Sequence, residues 1–262
     1  MAITAIEYVL FSQMRQQNAI PLGGDCLELG EANWYGDVAV EQLGQDIYRF
    51  AKEEERTALF RQLDEITQAK RPGMLFEIAK VFWRTFWQPR SMTAVDLHGT
   101  EAALKLDLNF PIELPQRYHA VFNLGTAEHI FNIAQVMKTI HDYTLPGGLM
   151  IHGLPFTGWL DYGFYNVQPT FFWDLAQANS YTIMAYLYVE YNPLKFVQLW
   201  KREDILELVT KNQIGQNALL YCVLRKPAED QPFCFPIQGY YAGTLSQEAA
   251  EHASNPQNPE LC

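Results

Sequence analysis

The chain has 262 residues, of which 48% are hydrophobic and 14% aromatic, and it carries a formal net charge of −11. A chain of this length and apolar content can bury a sizeable core within one α/β domain. The acidic balance excludes the basic face that nucleic-acid binders present and disfavours anionic membranes as partners.

The four cysteines are Cys26, Cys222, Cys234 and Cys262, and they form no CxxC pair and no metal-ligand spacing with histidine. We therefore expect reduced thiols, no bound metal and a cytoplasmic protein. The N-terminal residues lack the basic start and apolar stretch of a signal peptide. No segment approaches the roughly 20 apolar residues needed to span a bilayer.

The first half of the chain predicts a helix, a strand, a long helical stretch and three strands in close order. The predicted bounds are a helix over 1–20, a strand over 26–30, helices over 38–90, and strands over 92–96, 103–107 and 118–124. Within the helical stretch, a second helix from Met74 to about Trp87 carries Phe76, Phe82, Trp83, Phe86 and Trp87. So many aromatic side chains must pack on the core, on a partner subunit or over a ligand.

The second half predicts a helix over 127 to about 144, a Pro-Gly-Gly turn at 146–148 and a strand over 149–154. An aromatic loop at 157–169, a helix from 170 to about 179 and strands at 181–191 and 218–224 follow, the last two separated by a helix around 202–211. Strands that alternate with helices predict a mostly parallel sheet with helices on both faces, and the last pair could form an antiparallel edge. We expect one domain over 1–227 and a partly mobile C-terminal extension over 228–262.

Three predicted strands end in an acid, namely Glu28 just before Gly30, then Asp96 and Asp107. Ligands of open α/β sheets bind at the carboxyl ends of the strands. There an acid can accept hydrogen bonds from a ribose diol or an adenine amino group, and a glycine lets the backbone approach a ligand closely. Each acid could equally be an ordinary solvated strand end, except that Glu28 lies in an apolar run where a charge is expensive.

With these motifs the sequence resembles the class I S-adenosylmethionine-dependent methyltransferases that act on small molecules. The segments that carry the resemblance are 26–30, 95–96, 106–108, 118–129 and 145–149. The resemblance implies a Rossmann-like, seven-stranded α/β fold with S-adenosylmethionine as cofactor. It implies cofactor contacts from Glu28, Gly30, Asn33, Asp96, Leu97, Asp107, Leu108, Asn123 and Gly125.

The sequence departs from the family pattern at three places. The turn Gly30-Glu31-Ala32-Asn33 lacks the usual second and third glycines. The interval from Gly30 to Asp96 greatly exceeds the roughly 20 residues usual between a glycine turn and a ribose acid, and a helical insertion over about 38–90 fills it and could cap the site. His119 stands where the family often has an aspartate.

For catalysis, the pair Glu128-His129 after the strand over 118–124 is the strongest candidate, with His152 as a third residue. A histidine of ordinary pKa can act as a general base on a hydroxyl or ammonium group. Alternatively, Glu128 favours a helix N-terminus and His129 and His152 pack in the interior. A metal site from these three residues is conceivable, but no spacing motif supports it.

The aromatic loop resembles an acceptor-binding lid, with substrate contacts expected from Trp159, Tyr162, Tyr165 and Asn166. The predicted function is therefore methyl transfer to an oxygen or nitrogen of a small molecule, with a possible homodimer through the aromatic insertion helix. The alternative is a non-catalytic binding or scaffolding subunit of the same fold. A nicotinamide-dependent oxidoreductase is disfavoured because GxGxxG is absent.

Overall fold

The computed structural model describes residues 1–247 and 250, which fall into two compact units. The first unit comprises Met1–Asp107 and Tyr118–Leu124, and the second comprises Leu108–Arg117 and the chain from Gly125 onward. None of the described helices is long and apolar enough to cross a membrane. The predicted boundary between residues 227 and 228 stays a prediction, as does the mobility expected within the extension over 228–262, of which residues 248–249 and 251–262 lie outside the described ones.

The first unit packs helices around a short parallel sheet. Its elements are β1 (Ala2–Ile3), α1 (Ala5–Gln16), β2 (Asp25–Leu29), β3 (Asn33–Trp34), α2 (Val40–Phe50), a 3₁₀ turn (Glu53–Glu55), α3 (Arg56–Ala69), α4 (Met74–Phe86), β4 (Ser91–Val95) and β5 (Tyr118–Leu124). α1 begins at a capping box in which Thr4 and Glu7 satisfy each other's backbone N–H groups. The part of the predicted helical stretch over 38–90 that precedes Met74 is thus two helices, α2 and α3, broken around Ala51.

β2 is the central strand of this unit and runs parallel to both of its neighbours. Its register pairs Leu29 with Val95 of β4 and Glu28 with Phe122 of β5. All five residues of β2 are buried. A parallel strand covered on both faces needs an almost continuous apolar run, and this makes the acid Glu28 exceptional.

The aromatic face of α4 lies in the core of the first unit. The side chains of Phe82, Trp83, Phe86 and Trp87 are each no more than 2% exposed. Trp83 and Trp87 both contact Phe11 of α1 and Phe122 of β5. Packing within the chain therefore accounts for these four side chains, and the homodimer expected through this helix stays a prediction.

The second unit contains a 3₁₀ turn (Ala127–His129), α5 (Ile133–Tyr143), β6 (Thr144–Thr157), α6 (Thr170–Ala178), β7 (Thr182–Glu190), β8 (Lys195–Gln198), α7 (Asp204–Thr210) and β9 (Ala218–Arg225). β9 lies between β6 and β7 and is antiparallel to both, so those two strands share a direction. β8 pairs antiparallel with β7. The buried Lys226 donates to the carbonyls of His141 and Thr144, and it thereby closes the C-terminal end of α5.

Within the described residues, seven strands form a sheet in the order β4-β2-β5-β6-β9-β7-β8. The predicted seven-stranded, mostly parallel, Rossmann-like α/β fold is confirmed. The last predicted pair of strands, β7 and β9, is antiparallel as expected. The sequence did not predict β8, which occupies the edge beside β7.

The strand predicted over 103–107 is wrong. Leu104 forms only an isolated parallel bridge to Val95, with hydrogen bonds from the Leu104 N–H to the Ala94 carbonyl and from the Asp96 N–H to the Leu104 carbonyl. The Leu106 N–H then turns back to the Leu104 carbonyl, which ends the pairing. The alternating apolar pattern therefore marks a single bridging residue and not a full strand.

The helix predicted from 127 is interrupted. After one 3₁₀ turn the chain leaves helical geometry, and α5 starts only at Ile133, where the Asn132 side chain accepts a hydrogen bond from the Gln135 N–H. The following strand is longer than predicted, since β6 begins at Thr144 and includes the Pro-Gly-Gly segment.

We expect Gly153→Ala to destabilise the protein. Gly153 of β6 pairs with Tyr221 of β9, and a Cβ at Gly153 would lie 2.6 Å from the Tyr221 ring. Overpacking of this kind costs about 1–3 kcal/mol in the free energy of unfolding, measurable by urea denaturation. Adding Tyr221→Leu should relieve the clash, so the double variant should lose less than the sum of the single variants. Additive losses would contradict the proposed clash.

Candidate functional site

Glu28 is a buried carboxyl group at the end of β2. It is 4% exposed, and its Oε1 accepts a hydrogen bond from the Trp83 indole N–H of α4. Burial raises the pKa of Glu28 to about 8, although the hydrogen bonds from Trp83 and from the Ala32 backbone oppose that rise. The sequence analysis proposed this acid as a cofactor contact, which stays a prediction, and it did not indicate the hydrogen bond from Trp83 of α4.

The turn after β2 is tied to the end of β4. Gly30 has a φ of +81° and donates to the Val95 carbonyl at 2.7 Å, a backbone conformation that favours glycine. The next N–H, of Glu31, donates to Asp96 Oδ2 at 2.9 Å, and the His98 N–H donates to Asp96 Oδ1 at 2.8 Å. The structure thus brings Glu28, Gly30 and Asp96 to one edge, as the sequence predicted.

The half-buried Asp96 retains room for a ligand. A carboxylate offers about four acceptor positions, and the two backbone N–H groups fill two of them. The neighbouring Leu97 is 52% exposed, so an apolar surface lies beside the remaining acceptors. This combination suits a ribose diol with a base packed beside it.

Glu31 is a second buried acid in the turn, and sequence reasoning missed its role. It is 3% exposed, and it accepts from the N–H and the hydroxyl of Thr100 at 2.6 and 2.9 Å. The Lys80 ammonium of α4 lies 3.3 Å from Glu31 Oε1. The only available sequence signal was an acid inside a turn that otherwise holds small residues.

The other predicted cofactor contacts are distributed over both units. In the first, Asn33 pairs with Ala2 in a short parallel ladder, Asp107 is exposed, and Asn123 is fully buried in β5. In the second, Leu108 is 4% exposed, and Gly125 has a φ of +74° and donates to the Gly153 carbonyl at 2.9 Å. Their contacts with a cofactor stay predictions.

Glu128 and His129 lie on the 3₁₀ turn that opens the second unit's helical region. Glu128 is 1% exposed, and burial raises its pKa to about 7. Among the described residues, its Oε2 has no hydrogen-bond partner. His129 Nε2 lies 3.9 Å from Glu128 Oε1, beyond hydrogen-bond distance, and partial burial lowers the pKa of His129.

The aromatic loop covers this pair closely. A Cβ at Gly163 would come within 3.2 Å of Glu128 Cγ and of His129 Nδ1, and the Tyr162 ring packs edge-on against His129 with 4.8 Å between ring centres. The sequence had not indicated Gly163, yet only a residue without a side chain fits there.

The four predicted acceptor residues shape the loop itself. Trp159 packs against Tyr162 and donates from its indole to the Ala218 carbonyl. The Tyr165 hydroxyl donates to the Phe131 carbonyl at 2.6 Å, and the Asn166 amide donates to the Gly158 carbonyl at 2.8 Å. A role of these residues in acceptor binding stays a prediction.

His152 lies in the interior of β6. It is 1% exposed, it packs on the Phe172 ring, and burial lowers its pKa to about 3, so the imidazole is neutral. Within residues 1–247 and 250, no group of three or more histidine, cysteine or acidic side chains is placed to hold a metal ion.

Comparisons with known proteins give distant matches to solved structures. No family model and no curated protein matches the sequence. The chain is similar to the N-methyltransferase NodS from Bradyrhizobium japonicum, with 11% identity over 84% of this chain and 94% of that chain and a TM-score of 0.43. It is also similar to a Burkholderia thailandensis 1,6-didemethyltoxoflavin-N1-methyltransferase solved with S-adenosylhomocysteine, with 12% identity over 85% and 79% of the chains and a TM-score of 0.36. A third match is an O-methyltransferase from a Brevibacillus brevis multienzyme, with 13% identity over 84% and 71% of the chains and a TM-score of 0.38.

We expect Glu28→Gln to stabilise the protein increasingly as the pH rises from 5 to 8. In the unfolded chain Glu28 ionises near its ordinary pKa, whereas in the folded chain its pKa is about 8, so the folded state loses stability across that interval. Glutamine removes this penalty and still accepts from Trp83. The readout is the melting temperature, which moves roughly 2–4 °C per kcal/mol for a chain of this size.

The control is Glu31→Gln, which changes an acid of similar burial but removes its ion pair with Lys80. This variant should lower the melting temperature. If the melting temperature of Glu28→Gln equals that of the wild type at every pH, the assignment of a buried, protonated Glu28 is contradicted.

Proposed function

We propose that this protein binds S-adenosylmethionine and transfers its methyl group to an oxygen or nitrogen atom of a small molecule. The observation that carries the proposal is the Gly30 turn, whose Glu31 N–H is hydrogen-bonded to Asp96 at the end of the adjacent parallel strand. Carboxyl ends of neighbouring parallel strands are where α/β folds bind nucleotides. The free acceptor positions of Asp96 and the exposed Leu97 match a ribose and an adenine, respectively.

Glu28 supports the same cofactor. The methionine part of S-adenosylmethionine carries an ammonium group, and a nearby cation favours the ionised form of a buried carboxyl group. A cationic ligand close to Glu28 would therefore favour its ionised form and oppose the rise that burial causes in its pKa.

The proposed acceptor side uses Glu128 and His129. Bound S-adenosylmethionine supplies an electrophilic methyl group, so the protein has to orient the acceptor and remove its proton. Because partial burial lowers the pKa of His129, its imidazole is in the base form at neutral pH. Ionised Glu128, 3.9 Å away, would stabilise the imidazolium that forms. The aromatic loop would exclude water from the reacting groups.

A binding subunit without catalysis is the second candidate, because the loop leaves Glu128 only 1% exposed. Calorimetry with S-adenosylmethionine, S-adenosylhomocysteine and NAD separates the candidates. Binding of a sulfur nucleotide together with methyl transfer to amines or hydroxyl compounds supports the enzyme. Binding without transfer supports the subunit, and binding of neither sulfur nucleotide refutes both.

We expect Asp96→Asn to weaken S-adenosylmethionine binding at least about tenfold, or about 1.4 kcal/mol. Asparagine has one acceptor oxygen, so it cannot accept hydrogen bonds from the N–H groups of both Glu31 and His98 and also from a ribose diol. Isothermal titration calorimetry gives the dissociation constant. Asp64→Asn on α3 is the matched control and should bind as the wild type does; equal affinities for the two variants would argue against a ribose site at Asp96.

We expect His129→Gln to lower kcat by about 10²–10⁴ without changing cofactor affinity, as is usual for loss of a general base. In the wild type the rate should also rise with pH through about 7 as Glu128 ionises, and Glu128→Gln should abolish that step. Transfer of a labelled methyl group to a panel of amines and phenols provides the rates. His119→Gln, on β5, is the control. If it lowers kcat as much as His129→Gln does, the assignment of His129 as the general base is wrong.

A further inference from the structure

The Gly30 turn carries two buried acids in a chain that is already acidic. Glu28 and Glu31 are 4% and 3% exposed, and the charge of Glu31 raises the pKa of Glu28. Buried carboxylates are expensive unless hydrogen-bonded or paired. The turn therefore needs support from outside its own backbone.

One face of α4 provides this support to both acids. Trp83 donates from its indole to Glu28, and the Lys80 ammonium lies 3.3 Å from Glu31. Positions 80 and 83 are one helical turn apart and share a face, so a single helix reaches both ends of the turn. Lys80 is half-exposed, and Trp83 is 2% exposed, so the indole contact is the better shielded of the two.

Trp87 shows that the Trp83 contact is more than aromatic packing. It is as buried as Trp83, at 1% exposed, and it packs on the same rings of Phe11 and Phe122. Among the described residues, its indole N–H has no hydrogen-bond partner, so it holds no acid. Two tryptophans with the same packing thus differ in whether they hold a carboxyl group.

We infer that Trp83 and Lys80 are positioning residues, which fix Glu28 and Glu31 on either side of Gly30 so that the turn can hold the cofactor. This inference rests on the proposed function. It gives the insertion over α2–α4 a specific purpose, because α4 stabilises a turn that lacks two of the glycines expected there. The two residues act through the acids and need not touch the cofactor themselves.

The pH dependence of binding follows from the groups around Glu28. These are the Trp83 indole, the Ala32 N–H and the Met1 amino group, which favour the ionised form, and Glu31, which opposes it. Loss of the Trp83 N–H removes a donor to the carboxylate and raises the pKa of Glu28 further. Cofactor affinity, which needs ionised Glu28, should then require a higher pH.

The test compares Trp83→Phe with Trp87→Phe in calorimetric titrations with S-adenosylhomocysteine from pH 6 to pH 9. We expect Trp83→Phe to weaken binding at least fivefold at pH 7.5 and to move the pH of half-maximal affinity upward. Trp87→Phe should change affinity less than twofold. In a Glu28→Gln background, Trp83→Phe should have no further effect, since it acts through the acid. Equal effects of the two tryptophan variants, or an undiminished effect in that background, would overturn the inference.

Lys80→Met is a second variant should Trp83→Phe fail to fold, and it should weaken binding in the same direction. A readout independent of the cofactor is the carbon-13 NMR titration of the Glu28 carboxyl group in the ligand-free protein. Trp83→Phe should raise its midpoint and Trp87→Phe should not; identical midpoints refute the positioning role. Failure of the wild type to bind S-adenosylhomocysteine would refute the proposed function instead, while the NMR titration still decides whether Trp83 holds Glu28.

Discussion

A single acid in the central strand of the first unit governs the arrangement around it. Glu28 occupies a position in β2 where both neighbouring strands and the covering helices demand an apolar side chain. Its carboxyl group is tolerated because it keeps a proton near neutral pH and because the Trp83 indole donates to it. That donor comes from α4, so the packing of α4 against β2 is what allows β2 to carry an acid.

The same packing explains the aromatic composition of α4. Trp83 has to be an indole to donate to Glu28, whereas its neighbours Phe82, Phe86 and Trp87 serve the core through ring contacts. At the other end of β2, Asp25 is bound by Arg90 and Ser91, which holds its pKa near 2. β2 thus has one acid near each end. The pKa of Asp25 is lowered and the pKa of Glu28 is raised, and the difference comes from the surroundings of the two side chains.

Sequence reasoning succeeded where the signal was local and failed where it was long-range. The strand carrying Glu28 and the glycine after it were predictable, because an apolar run and a turn residue lie within a few positions. The joining of Gly30 to Asp96 followed from parallel strand order. The contacts of Trp83 and Lys80 were not predictable, because partners more than 45 positions away leave no periodic pattern.

Two predicted elements, the strand over 103–107 and the helix from 127, were wrong for a different reason, because local hydrogen bonds end or start an element where the residue pattern did not indicate it. Alternation at 103–107 resembled a strand, but a backbone bond from Leu106 to Leu104 turned the chain after one bridge. The helix expected from 127 lost its first turns because Asn132 provides a better start at Ile133. As a result, Glu128 and His129 sit on a short turn beneath Gly163 and not on a regular helix.

The acids Glu28 and Glu128 also change the meaning of the formal charge. With pKa values of about 8 and 7, neither is fully ionised at neutral pH, so the value of −11 overstates the negative charge of the folded chain. Both pKa values are raised by burial, and a nearby positive charge would reverse that shift. Binding of a cation beside either group must therefore release protons at neutral pH, and by linkage its affinity must rise as the pH rises. Under the proposed function, a positively charged ligand beside either group would therefore bind more tightly than a neutral ligand of the same shape.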